Sequence, residues 1–189
     1  GYIDDFSQPV QWFSSTGGNP NNVVALGSIA HSELVPLYIR AMTTADLYYQ
    51  FLAFYHIIEF KFYEALYQKL THLRSSSASQ FYKAISQKFS EESMFQYVFQ
   101  ELAAGFPVTL GVAGIKSVAP ALDIDFNVKS FAETDRQSWI TFLYAIRCGI
   151  VHSKEGEAIL ERCAQNDRVL ADYVLPFMKD LCEYLIETP

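Results

Sequence analysis

Thr43-Thr44-Ala45-Asp46-Leu47-Tyr48-Tyr49-Gln50-Phe51-Leu52-Ala53-Phe54-Tyr55-His56-Ile57-Ile58-Glu59-Phe60-Lys61-Phe62 opens a run that meets no glycine or proline before Leu73. Leu47, Phe51, Phe54, Tyr55, Ile58, Phe62, Ala65, Leu66 and Leu70 recur in it at three- and four-residue spacing, the period of one helix face. Thr43-Thr44-Ala45-Asp46 matches the hydroxyl-x-x-acid start signal, so the spacing predicts one long helix beginning at Thr43. Apolar residues surround nearly all of it, which makes it a central helix. A narrow polar stripe of His56, Glu59 and Tyr63 shares one face.

Outward from this helix the chain reads as helix again. Residues 79–89 and 92–104 carry helical spacing, and Gly105-Phe106-Pro107 ends that run. Residues 105–130 scatter glycine and proline among short apolar patches, an irregular insertion with one helical turn near Ile115–Ala119. Thr134-Asp135-Arg136-Gln137 repeats the start signal, and Trp139, Ile140, Leu143, Ile146 and Ile150 follow at core spacing. A short helix over 157–164 and a longer one from about 167 to 186, kinked at Pro176, close the chain. Residues 1–42 read as an N-terminal extension or the edge of a preceding domain, with turn chemistry around Gly17-Gly18-Asn19-Pro20, a strand at Val23–Leu26 and a strand or helical turn at Leu34–Ile39. The expected architecture is all-α: a helical bundle over 43–189 with a long irregular insertion.

Composition narrows the function classes. With 189 residues, half of them apolar, one core can form. Fifteen Phe and 12 Tyr suit a large aromatic core first, with any surplus available to a dimer surface. A net charge of −7 excludes a grip on nucleic acid through bulk electrostatics. Three cysteines without a CxxC pair, and four scattered histidines, argue for reduced thiols in the cytoplasm and against a metal site. No apolar stretch is long enough to span a bilayer, and no phosphate-binding, dinucleotide or hydrolase motif occurs. The start at Gly1 reads as mid-protein sequence, so further domains of a longer chain are expected.

Two ionisable residues stand in apolar company, in Phe142-Leu143-Tyr144-Ala145-Ile146-Arg147-Cys148-Gly149-Ile150-Val151-His152. A buried guanidinium needs a partner. One reading pairs Arg147 with an acid such as Glu59 and lets His152 finish the helix. On a straight helix the two residues point about 140° apart, so they share a site only if the helix loosens at Gly149 or two chains pool them. An Arg with a His could serve RNA cleavage, the imidazole moving a proton and the guanidinium holding phosphate oxygens.

The segment Leu143–Ser153 resembles the R-x4-6-H motif of HEPN domains, helical ribonucleases of toxin–antitoxin and antiviral systems. The segment around Phe54-Tyr55-His56-Ile57-Ile58-Glu59 looks like the early helix of that family, and the order of parts is similar over roughly 43–187, nearest to an ApeA-like branch. The resemblance implies a homodimer with a shared cleft and metal-independent, cofactor-free RNA cleavage. His152 would be general acid or base, Arg147 would stabilise the phosphorane, and Glu59 would orient Arg147. Cys148, His56 and Tyr144 would support the motif. Family members usually carry a polar residue directly after the arginine, where this chain has Cys148. That departure motivates a second reading, a catalytically inactive HEPN module kept for dimerisation or partner binding. A third is an unrelated helical interaction module in which Arg147 and Glu59 form only an ion pair.

Overall fold

The computed structural model describes residues 29–86, 90–108, 112–122, 135–151 and 160–188. Those residues form helices and connecting turns, with no strand among them. The all-α class stands. A 3-10 turn over Ser32–Leu34 leads into α1 (Val35–Thr43), followed by α2 (Leu47–Phe60), α3 (Phe62–Ser76), α4 (Ala78–Ser86) and α5 (Glu91–Tyr97). After these come α6 (Val112–Val118), α7 (Asp135–Val151), α8 (Ala164–Val169) and α9 (Leu175–Glu187).

The expected long helix is three pieces. Thr43 is the last residue of α1, and Thr43 and Thr44 turn their hydroxyls back onto carbonyls of that helix, those of Ile39 and Arg40. The cap of α2 is Asp46, whose carboxylate accepts the Tyr48 and Tyr49 amides at 3.0 and 3.1 Å. A carboxylate serves the orphan amides of a first turn better than a hydroxyl spent on the preceding helix. The second break falls at Lys61, which leaves α2 with ψ at −4°. Its side chain is buried and paired with Glu64 at 2.7 Å. Leu34–Ile39, open between strand and helix from sequence, is helical and packs on α2 through α1.

An aromatic chain forms the core and links α2, α5, α7 and α9. Tyr55 meets Phe95 edge-on at 5.4 Å, Phe95 meets Phe99, and Phe177 stacks on Trp139 at 3.7 Å with Phe106 edge-on to it at 5.5 Å. All of these rings are buried, as a core role predicts. Two π-helical turns adjust the packing. The first, Val98–Leu102, extends α5. The second, Leu170–Val174, joins α8 to α9 and ends just before Pro176, which sits in the first turn of α9. A widened turn relieves the clash between a proline ring and the carbonyl four residues earlier, so Pro176 is absorbed at a helix start.

The insertion is more ordered than its composition suggested, since α6 and a 3-10 turn over Ala119–Ala121 occupy its middle. Ile115, Ala119 and Leu122 reach the core. Gly105 marks a close approach: a Cβ there would lie 2.7 Å from the Tyr184 hydroxyl. Residues 160–163 are not helical, so the short helix expected over 157–164 does not extend through them, and α8 begins at Ala164. The expected strand at Val23–Leu26 and the Thr134 cap lie outside the described residues. The start of α7 is tied down instead by Arg136, whose guanidinium donates to the carbonyls of Ala103 and Phe106 at 2.7 Å each.

Candidate functional site

Three helices bring ionisable side chains together near the end of α7. Arg147 belongs to α7, Glu59 stands one residue before the end of α2, and Glu91 is the first residue of α5. Ser90 starts α5 by accepting the Ser93 amide at 3.1 Å, and a carboxylate in the first turn suits the positive end of the helix dipole. The Arg147 side chain is only 16% exposed. Its Nε lies 2.7 Å from Glu91 Oε1, and a terminal nitrogen lies 4.0 Å from Glu59 Oε1. His56, one turn before Glu59, places Nδ1 3.4 Å from Glu59 Oε2.

Glu91 Oε1 is buried and has no hydrogen-bond partner beyond this ion-pair contact. The Tyr55 hydroxyl is also buried, beside Glu91 but without an aligned hydrogen bond. Burial, and next the charge of Glu91, push the Tyr55 phenol well above its ordinary range. Tyr144, one turn before Arg147, is pushed up to about 12, first by burial and then by the Cys148 thiol one turn away. Tyr144, Arg147 and Cys148 are thus neighbours on one face of α7.

A cleft of about 490 Å³ opens beside the cluster, lined by Glu59, Phe62, Tyr63, Leu66, Glu91 and Met94. Among the described residues two carboxylates face one guanidinium, which leaves an excess negative charge before His56 is counted. Carboxylates beside aromatic and thioether surfaces can hold an organic cation. Among the described residues no three His, Cys, Asp or Glu side chains are placed to share a metal ion.

Of the residues singled out from sequence, Arg147, Glu59, His56, Tyr144 and Cys148 lie in or beside this cluster, and His152 is outside the described residues. Sequence reasoning found Glu59 as a partner and missed the nearer one, Glu91. Its only local signal, an acid after a serine cap, locates a helix start and not the guanidinium it meets. Tyr55 was read solely as core.

The fold and the cluster define an all-α protein with a charged recess held by α2, α5 and α7. The chain belongs to the MauJ family: the family model described as methylamine utilization protein MauJ matches residues 34–187. No curated protein and no solved structure matches it. This corrects the HEPN assignment, for no HEPN model matches the chain. With it go the ribonuclease, the antiviral or toxin effector and the inactive HEPN module. The physical reason is local. An arginine in an apolar helix must find acids whatever the protein does, and Arg147 finds Glu91 and Glu59. A short R-x4-H spacing reports that environment as readily as a nuclease motif.

Proposed function

We propose that this chain serves methylamine utilization as a ligand-binding accessory protein whose working site is the Glu59–Glu91–Arg147 cluster and the cleft beside it. One observation carries the reading: two carboxylates that line that cleft, from two helices, are held by a guanidinium from a third. A core already filled by stacked aromatics does not need such a cluster for stability, because replacing a buried ion pair by apolar residues is often neutral or stabilising. A recess with a fixed field of charge is what ligand recognition uses. The three free thiols favour a reducing, cytoplasmic setting, and self-association belongs to the same proposal.

The test is genetic and biochemical. Deleting the gene in the cell that carries it should slow growth on methylamine and spare growth on ammonium. The wild-type chain should restore growth, and a folded Glu91→Gln variant should not. Unimpaired growth of the deletion strain on methylamine, or full rescue by Glu91→Gln, would overturn the reading.

A further inference from the structure

We infer that the cleft between α2, α3 and α5 takes a small primary alkylammonium ion, its nitrogen toward Glu59 and Glu91 and its alkyl group toward Phe62 and Met94. The inference rests on the site proposed above and adds the ligand class.

Charge comes first. Among the described residues two carboxylates share the cluster with one guanidinium, a balance that disfavours an anion and favours a cation. Orphaned polar groups come second. Tyr55 is 1% exposed, and its hydroxyl lies beside Glu91, whose buried Oε1 has the Arg147 ion pair at 2.7 Å but no aligned hydrogen bond. Buried polar atoms in folded proteins are nearly always satisfied. A donor-rich ligand fits the deficit, because an ammonium head carries three N–H donors and can draw the Glu91 carboxylate into an aligned hydrogen bond. Lining chemistry comes third. Phe62, Tyr63, Leu66 and Met94 offer ring faces and a thioether, which attract an alkylammonium through cation–π and apolar contact and offer a hydrated metal ion little. Tyr63 is 82% exposed on the cleft, a large ring left in water where a cation could lie on it.

Size sets the affinity and therefore the assay. A ligand of two heavy atoms is limited to a dissociation constant of about 6 mM or weaker by the per-atom ceiling on binding. The probe is methylammonium chloride titrated into the uniformly ¹⁵N-labelled chain, with amide shifts followed at constant ionic strength against sodium chloride. Saturable shifts are expected at residues 59–66 and 91–94. Glu91→Gln should weaken them roughly tenfold, the usual scale for a lost charge-assisted hydrogen bond. Tyr63→Ala, at a site too exposed to disturb folding, should weaken them about threefold through the lost ring face. Tetramethylammonium, which has no N–H donor, should bind markedly more weakly.

Shifts that stay linear in concentration, or that tetramethylammonium and sodium reproduce, would overturn the ligand class. If methylammonium fails to bind while Glu91→Gln still fails to restore growth, the alkylammonium assignment falls and the site remains. If methylammonium binds but the deletion strain grows normally on methylamine, the ligand class holds and the role in methylamine utilization falls.

Discussion

Replacing Arg147 by Met, alone and with Glu91→Gln, measures how much of the cluster is held by charge. At 2.7 Å, with an effective dielectric constant of about 20, the gross attraction between Arg147 and Glu91 is about 6 kcal/mol. Glu59 at 4.0 Å adds about 4 kcal/mol on the same basis. Desolvating each ion costs several kcal/mol, so most of this gross attraction is cancelled. The Arg147 side chain keeps 16% of its surface in solvent and Glu91 keeps 26%, which screens the pair further. Arg147→Met should therefore cost about 2–3 kcal/mol, below the full penalty for orphaning a wholly buried charge. Much of that loss comes from Glu91 Oε1, left buried beside the Tyr55 hydroxyl with no counter-charge. Once Glu91 is also neutral, the cost of losing Arg147 should fall, giving a coupling of about 1–2 kcal/mol in the double-mutant cycle. Urea unfolding followed by circular dichroism measures all four proteins. The contact is no longer than the Debye length of about 3 Å at 1 M salt, so the coupling should persist there. Additivity within about 0.5 kcal/mol would refute the electrostatic reading and make Arg147 a packing residue.

Two further perturbations probe the frame that holds the site. Phe177 is buried against Trp139, Phe99 and Phe106, so Phe177→Ala should destabilise by about 3–5 kcal/mol in the same urea assay, and a loss under about 1 kcal/mol would contradict the stacked core. Asp46→Ala should cost about 1 kcal/mol as a lost cap. The Asp46 carboxyl is held below its ordinary value, first by the Tyr49 amide and with help from Arg162. That contribution is fully present above the unfolded value of about 3.9 and is lost as pH falls through the lower folded value. Asp46→Asn keeps a capping group but should flatten this acid limb of the melting-temperature profile, and an unchanged limb would assign it to another carboxylate.

Helical class and the core face of α7 were legible because a period of 3.6 residues needs only local sequence: Trp139, Ile140, Leu143 and Ile146 are all buried where the spacing puts them. The breaks were harder. Lys61 lies in an uninterrupted helical pattern, and its turn is stabilised by a pair with Glu64 that any surface helix could also make at that spacing. Pro176 was visible, but the π turn before it depends on how α8 and α9 settle against the rest of the bundle. At the site, Arg147 drew notice because a guanidinium among apolar residues demands a partner, and Glu59 followed from its place on the central helix. Glu91 could not follow, since its 56-residue separation from Arg147 is bridged only by tertiary packing of α5 on α7.

The same separation explains why the nuclease resemblance was persuasive and still failed. Desolvation puts one requirement on every helical protein that buries an arginine: acids must arrive from neighbouring helices. A central helix bearing an acid and a later helix bearing an arginine will therefore recur in unrelated bundles, and a histidine a turn further on adds little. The discriminating feature is what the arginine is left free to do. With Glu91 at 2.7 Å and Glu59 at 4.0 Å, the Arg147 guanidinium already faces two carboxylates, and the cleft beside them carries their excess charge. A site that stabilises phosphate needs its positive fork open to an anion. This recess presents the opposite sign, so its natural guest is a cation, with Arg147 holding the two carboxylates in place.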